Sequence, residues 1–170
     1  MNNRVVKPVI TGIMLGLLCA CGGGGGGGGG GVVPVATSKA VATMKSANLT
    51  ALGIYGLDIT IGFPNGVTVA TTADGSVAAG VVSISGQQGP NTSVGAAKYT
   101  PATPTTRGSL RFLLVNPTGF TAQELVKVSL DITTGFSPTA ADFTIDSLVA
   151  SDKDGNIISG LTADISTVIN

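Results

Sequence analysis

The chain has 170 residues, with 26 glycines, nine basic and nine acidic side chains, two cysteines, and neither histidine nor tryptophan. That balance excludes electrostatic capture of nucleic acid, which needs clustered Lys and Arg to displace counterions. With no histidine, one glutamate (Glu124) and no Cys-x-x-Cys-His motif, the usual general bases and haem attachment are missing, so neither an enzyme nor a cofactor is expected.

Taken in chain order, Arg4 and Lys7 come before a run from Val9 to Leu18 that is apolar except at Thr11, Gly12 and Gly16. That run is too short to span a bilayer, which takes roughly 20 apolar residues. A cationic start, a short apolar centre and small residues at its end predict an export signal over residues 1–20. Leu18-Cys19-Ala20-Cys21 resembles a bacterial lipobox, with Cys19 standing where Ala or Ser is more usual. The resemblance implies cleavage before Cys21, lipid on its sulfur and acylation of the new amine. Each buried methylene then contributes about 0.8 kcal/mol to membrane anchoring. Cys19 leaves with the signal peptide, so Cys21 has no disulfide partner.

Gly22 to Gly31 is an unbroken glycine run, and such a chain behaves as a flexible coil spanning roughly 17 Å. A phosphate-cradling loop would need a preceding strand, a following helix and usually a lysine. Residues 21–39 are therefore assigned as lipidated cysteine and tether. Gly22 is not the aspartate that retains lipoproteins in the inner membrane, which implies an outer-membrane or cell-surface destination. Without Arg4 and Lys7, seven basic residues face nine acidic ones in the exported part.

Residues 40–170 suffice for one domain. Leu57-Asp58-Ile59-Thr60-Ile61 alternates apolar and polar residues, as a half-buried strand must. Similar runs occupy Ala40 to Lys45, Gly66 to Thr71, Val77 to Ser85, Ala96 to Thr100, Leu110 to Val115, Leu125 to Thr133, Phe143 to Val149 and Leu161 to Val168. Clusters of Gly, Pro, Asn and Asp separate them. Thr121 to Val126 alone is compatible with a short helical turn, because Thr-Ala-Gln-Glu fits a capping box. An all-β sandwich of about nine strands is predicted.

The ordered series from Ile54 onward resembles the cohesin family. The stretches that carry it are Ile54 to Ile61 with Phe63-Pro64, the glycine-led Gly108 to Asn116, Glu124 to Leu130, and the Ser151 to Ile158 turn before a last strand. Phe63-Pro64-Asn65 replaces the family's Tyr-Asp-Pro-like corner, and Ser85 to Ser93 is long. The resemblance implies a jelly-roll sandwich and a flat sheet face that binds a protein partner, dockerin-like or other. If Leu57, Ile59, Ile61, Leu110, Phe112 and Leu114 are core, that face presents Asp58, Thr60, Arg111, Leu113 and Val115. Asn116 is carried onto it by the resemblance, where family members often have an acidic residue.

Two functions compete. One is a non-catalytic protein-interaction module at the envelope. The alternative is a carbohydrate-binding module, possibly tied to polysaccharide catabolism, that would stack sugar rings on Tyr55 and Tyr99. No metal site is assigned. Placing Asp152, Asp154 and Gly155 in a calcium loop leaves Ala150 and Leu161 at its two end positions, neither of them a ligand. Asp154-Gly155 reads better as a hairpin turn, with a weak calcium site near Asp152 and Asp154 left open.

Overall fold

The computed structural model describes residues 36–49, 52–85, 88 and 90–170; the signal segment, Cys21 and the glycine run lie outside the described residues. Ten strands are described: β1 (Ala36–Lys45), β2 (Gly56–Phe63), β3 (Val67–Thr68), β4 (Val82–Ile84), β5 (Ser93–Thr100), β6 (Gly108–Val115), β7 (Glu124–Thr133), β8 (Thr144–Ser151), β9 (Ile157–Ile158) and β10 (Asp164–Ile169). A 3-10 turn lies at Ala140–Asp142. The short helical turn that Thr-Ala-Gln-Glu would permit at Thr121 to Val126 does not form; the chain is irregular there until β7 begins at Glu124, as the strand-like alternation from Leu125 implies.

The strands make two antiparallel sheets. The back sheet runs β10-β1-β7-β3, with β4 also paired to β7, and the front sheet runs β5-β6-β2-β8-β9. The chain changes sheet after β1, β2, β4, β6, β7 and β9, which is the wrapping of a jelly-roll sandwich. The fold class expected from alternation is therefore the one observed.

Burial follows the pleat. β2 buries Leu57, Ile59, Ile61 and Phe63, and β6 buries Leu110, Phe112 and Leu114. From the back sheet, β1 contributes Ala40, Ala42 and Met44, and β7 contributes Val126, Val128, Leu130 and Ile132 to the same cluster. Pairing small alanines on one sheet with large side chains on the other lets two flat layers interdigitate. Each large aliphatic side chain so buried stabilises the fold by about 1.5–3 kcal/mol.

The differences from expectation have local causes. β1 starts at Ala36, before the expected boundary at Ala40, because Ala36–Thr133 and Lys39–Asp131 extend its ladder to β7. Gly66 to Thr71 and Val77 to Ser85 shrink to β3 and β4, since the ladder to β7 covers 67–68 and 82–84, with single hydrogen bonds at Gly66, Val81 and Ser85 beside it. Around the Asp74-Gly75 turn a single bridge joins Thr71 and Val77. β9 was not expected. It forms a hairpin with β8 across Asp152 to Asn156, in which Gly155 takes φ +84°. The Asp152 carboxylate accepts the N–H of Asp154 at 2.9 Å and of Asn156 at 2.8 Å, so its oxygens close the turn.

Candidate functional site

The outer face of the front sheet brings together most of the residues singled out above. Register fixes its rows. Val115, Gly56, Ser151 and Ile157 lie across β6, β2, β8 and β9; Leu113, Asp58 and Val149 form the next row; Lys98, Arg111, Thr60 and Ser147 form the third. Leu113 is 39% exposed, Val115 45%, Val149 41% and Ile157 77%. Leu113, Val115, Val149 and Ser151 line a shallow hollow over Gly56, and Ile157 lies one strand further out, across from Ser151.

Glycine keeps this face low. A Cβ on Gly56 would strike the Ser151 hydroxyl, and one on Gly62 would strike the Asp146 carboxylate. On β5 a register shift between Val94 and Ala97 leaves Gly95 beside Leu113, where a Cβ would come within 3.1 Å of the Leu113 Cβ. A bulge of this kind bends an edge strand and increases its twist.

One ion pair crosses the face. Arg111 Nε donates to Asp58 Oδ1 at 2.8 Å, and its Nη2 donates to Oδ2 of the same carboxylate. This two-pronged bond, aided by the guanidinium charge, holds Asp58 below the usual carboxylate range and raises Arg111. Such fixed geometry orients both side chains, but exposed charges are screened and add little to stability.

Of the residues expected on this face, Asp58, Thr60, Arg111, Leu113 and Val115 are on it. Asn116 is not. It is 1% exposed; its Nδ2 donates to Thr92 Oγ1 at 3.0 Å, and its Oδ1 accepts the Thr118 N–H at 2.9 Å and hydroxyl at 2.7 Å. Its amide locks the turn after β6 to the 88–92 loop, and a partner cannot reach it.

The tyrosines do not form a sugar platform. Tyr99 points into the sandwich, stacks on Phe63 with ring centroids 6.0 Å apart, and has its phenol raised by burial. Tyr55 is half-buried at the other end of β2, next to Gly119, and its carbonyl accepts the N–H of Asn116. The two rings flank opposite ends of β2, so no single ligand ring sits between them.

Val149 and Ile157 were missed by sequence reasoning, for a definite reason. Simple alternation from Ile145 would put Val149 on the core side. A register shift pairs Thr60 with Ser147 but Ile61 with Ile145, leaving Asp146 as the extra residue and reversing the phase beyond it. Leu148 and Ala150 therefore face the core and Val149 faces out. Cys21 lies outside the described residues, among which no group of three His, Cys, Asp or Glu could hold a metal and no helix is long and apolar enough to cross a membrane. No family model, curated protein or solved structure matches the chain.

Proposed function

We propose that the protein is a non-catalytic module, anchored to the envelope through lipid on Cys21, whose front sheet holds a protein partner. The observation that carries this reading is the exposed group Leu113, Val115 and Val149 around the Gly56 hollow, with Ile157 one strand further out and the Arg111–Asp58 pair beside it. An apolar centre rimmed by polar residues is the make-up of a protein-binding surface. The fitting partner presents an apolar segment, a helix or strand, to a flat sheet. Its own charge can be of either sign, because Lys98 and Arg111 are balanced on this face by Asp58 and Asp146. The cohesin-like strand series agrees with this use of the face, the lipobox with a lipid anchor, and Gly22 after it with an outer-membrane or cell-surface location.

The test is co-purification from solubilised envelopes with the wild-type chain and with Leu113→Asp. A charge in the desolvated centre of the face should weaken a genuine partner by about 2 kcal/mol or more. Proteins that stay bound to a folded Leu113→Asp chain would refute the assignment of this face.

A further inference from the structure

A second surface lies at the end of the sandwich where β2 and β5 finish and β6 and β8 begin. Three loops there enclose an open cleft of about 450 Å³, lined chiefly by Pro64, Asn65, Pro104, Thr106, Arg107 and Asp142. That size is within the range of small-molecule sites. Its base is fixed by the core: Gly108 has no side chain because the buried ring of Phe63 fills the place of its Cβ.

Both walls hold their shape through internal hydrogen bonds. The Thr103 hydroxyl accepts the Thr106 N–H at 3.0 Å and the Thr105 N–H at 3.4 Å, while the Thr103 N–H donates to the Thr106 carbonyl at 2.9 Å. Opposite, Asp142 Oδ2 accepts the Thr139 N–H at 2.7 Å and its hydroxyl at 2.9 Å. Arg107 ties the walls together by donating one N–H to the Asp142 carbonyl. Among the described residues Arg107 takes part in none of the ion pairs, although its charge helps to hold the Asp142 carboxyl below the usual range, and its guanidinium carries five N–H donors in all. A site built this way loses little freedom on binding.

The lining combines a pure donor, Arg107, with a pure acceptor, the Asp142 carboxylate, and with Asn65 and Thr106, which do both. A small anion would meet the charge of Asp142, and a cation that of Arg107. Neighbouring hydroxyl groups, each able to donate and accept, satisfy all of them at once. The rings of Pro64 and Pro104 offer apolar surface to the C–H face of a sugar. We propose that this cleft binds a saccharide unit through a pair of vicinal hydroxyls, independently of the front sheet.

The experiment immobilises the full chain in detergent and measures retention of cellohexaose, xylohexaose and an oligogalacturonate of equal length. At least one should bind with Kd of about 1 mM or tighter. Retention should survive about 1 M sodium chloride, which screens exposed charges beyond about 3 Å. Arg107→Ala and Asn65→Ala, both at exposed positions, should each weaken it at least tenfold with an unchanged thermal midpoint, and Leu113→Asp should leave it intact. The proposal is overturned if none of the three sugars is retained, if retention vanishes in salt, or if it persists in both cleft variants.

Discussion

Leu113 and Leu114 are adjacent in β6 and have opposite fates, so substituting each tests the alternation on which the face depends. Leu114 is 0% exposed and Leu113 39%. Removing the Leu114 side chain to Ala leaves a cavity and should cost about 2–5 kcal/mol. Leu113 is about three-fifths covered, so Leu113→Asp forfeits that share of a full burial worth about 1.5–3 kcal/mol, or about 1–2 kcal/mol. Its new charge would stand directly across from Asp58, adding about 0.2–1 kcal/mol of like-charge cost. Arg111, already bonded to Asp58, offsets part of that repulsion. The sum, about 1–3 kcal/mol, leaves a domain of ordinary stability, about 5–15 kcal/mol, folded. Urea titration followed by circular dichroism reads both variants. Leu113→Asp should shift the midpoint with an unchanged slope and by less than Leu114→Ala, whereas Leu114→Asp should show no folding transition at all. Equal loss in the two aspartate variants would mean that the strand is turned the other way, and the interaction face would fall with it.

Three further outcomes are expected. Cys21→Ser should abolish fatty-acid labelling and leave precursor uncut by the lipoprotein peptidase; labelling that persists would sink the anchor. Asn116→Ala should destabilise the domain by about 2–4 kcal/mol, since it removes bonds worth about 1 kcal/mol each and strips Thr118 of its acceptor; an unchanged urea midpoint would refute its role as a loop lock. Asp58, Asp74, Glu124, Asp142 and Asp152 all lie below their ordinary carboxylate values, through hydrogen bonds to Arg111, Thr72, Ser85, Thr139 and Asn156 respectively. Their stabilisation is complete above about pH 5 and is lost as pH falls through the depressed folded values. Tyr99, raised by burial, acts at the other end: its contribution is present below the ordinary phenol value and lost as pH climbs through the higher folded one. With no histidine in the chain, the urea midpoint should be flat from about pH 5 to about pH 9, and a clear rise between pH 5 and 8 would contradict this.

The parts of the fold that were legible in the sequence are those where the pleat runs without interruption. β2 and β6 pair without a register shift and alternate cleanly from Gly56 to Ile61 and along β6, so Leu57, Ile59, Ile61, Leu110, Phe112 and Leu114 could be assigned to the core, and Asp58, Thr60, Arg111, Leu113 and Val115 to the opposite face. The same alternation also contained the correct answer for two residues placed wrongly. Position 116 has the parity of 110, 112 and 114, and it is indeed buried; the family resemblance, not the pleat, had put Asn116 outside. Position 99 shares its parity with Ala97, whose partner is the buried Phe112, so Tyr99 turns inward as well. Tyr99 was a candidate for sugar stacking only as one of two tyrosines, and its ring instead serves the core against Phe63.

What could not be read is set by single residues that shift the period. The extra residue Asp146 turns Val149 outward, and the Gly95-Ala96 irregularity in β5 opens the sheet beside Leu113. Neither carries a strong local signal, because a bulge depends on pairing with a distant strand rather than on the residues beside it. These two shifts sit on the strands flanking the regular β2-β6 pair, so the aliphatic group is completed on one side by Val149 and left uncovered on the other by Gly95. Gly56 and Gly62 remove the side chains that would otherwise stand in the middle of the face. The surface is consequently broad and low, suited to a partner's flat segment, whereas the open cleft at the loop end arises where the strands stop and backbone turns supply the walls. Separate structural origins make the two surfaces separable by mutation: a substitution in the 103–107 loop leaves the β2-β6 register untouched, and one at Leu113 leaves that loop's hydrogen bonds in place.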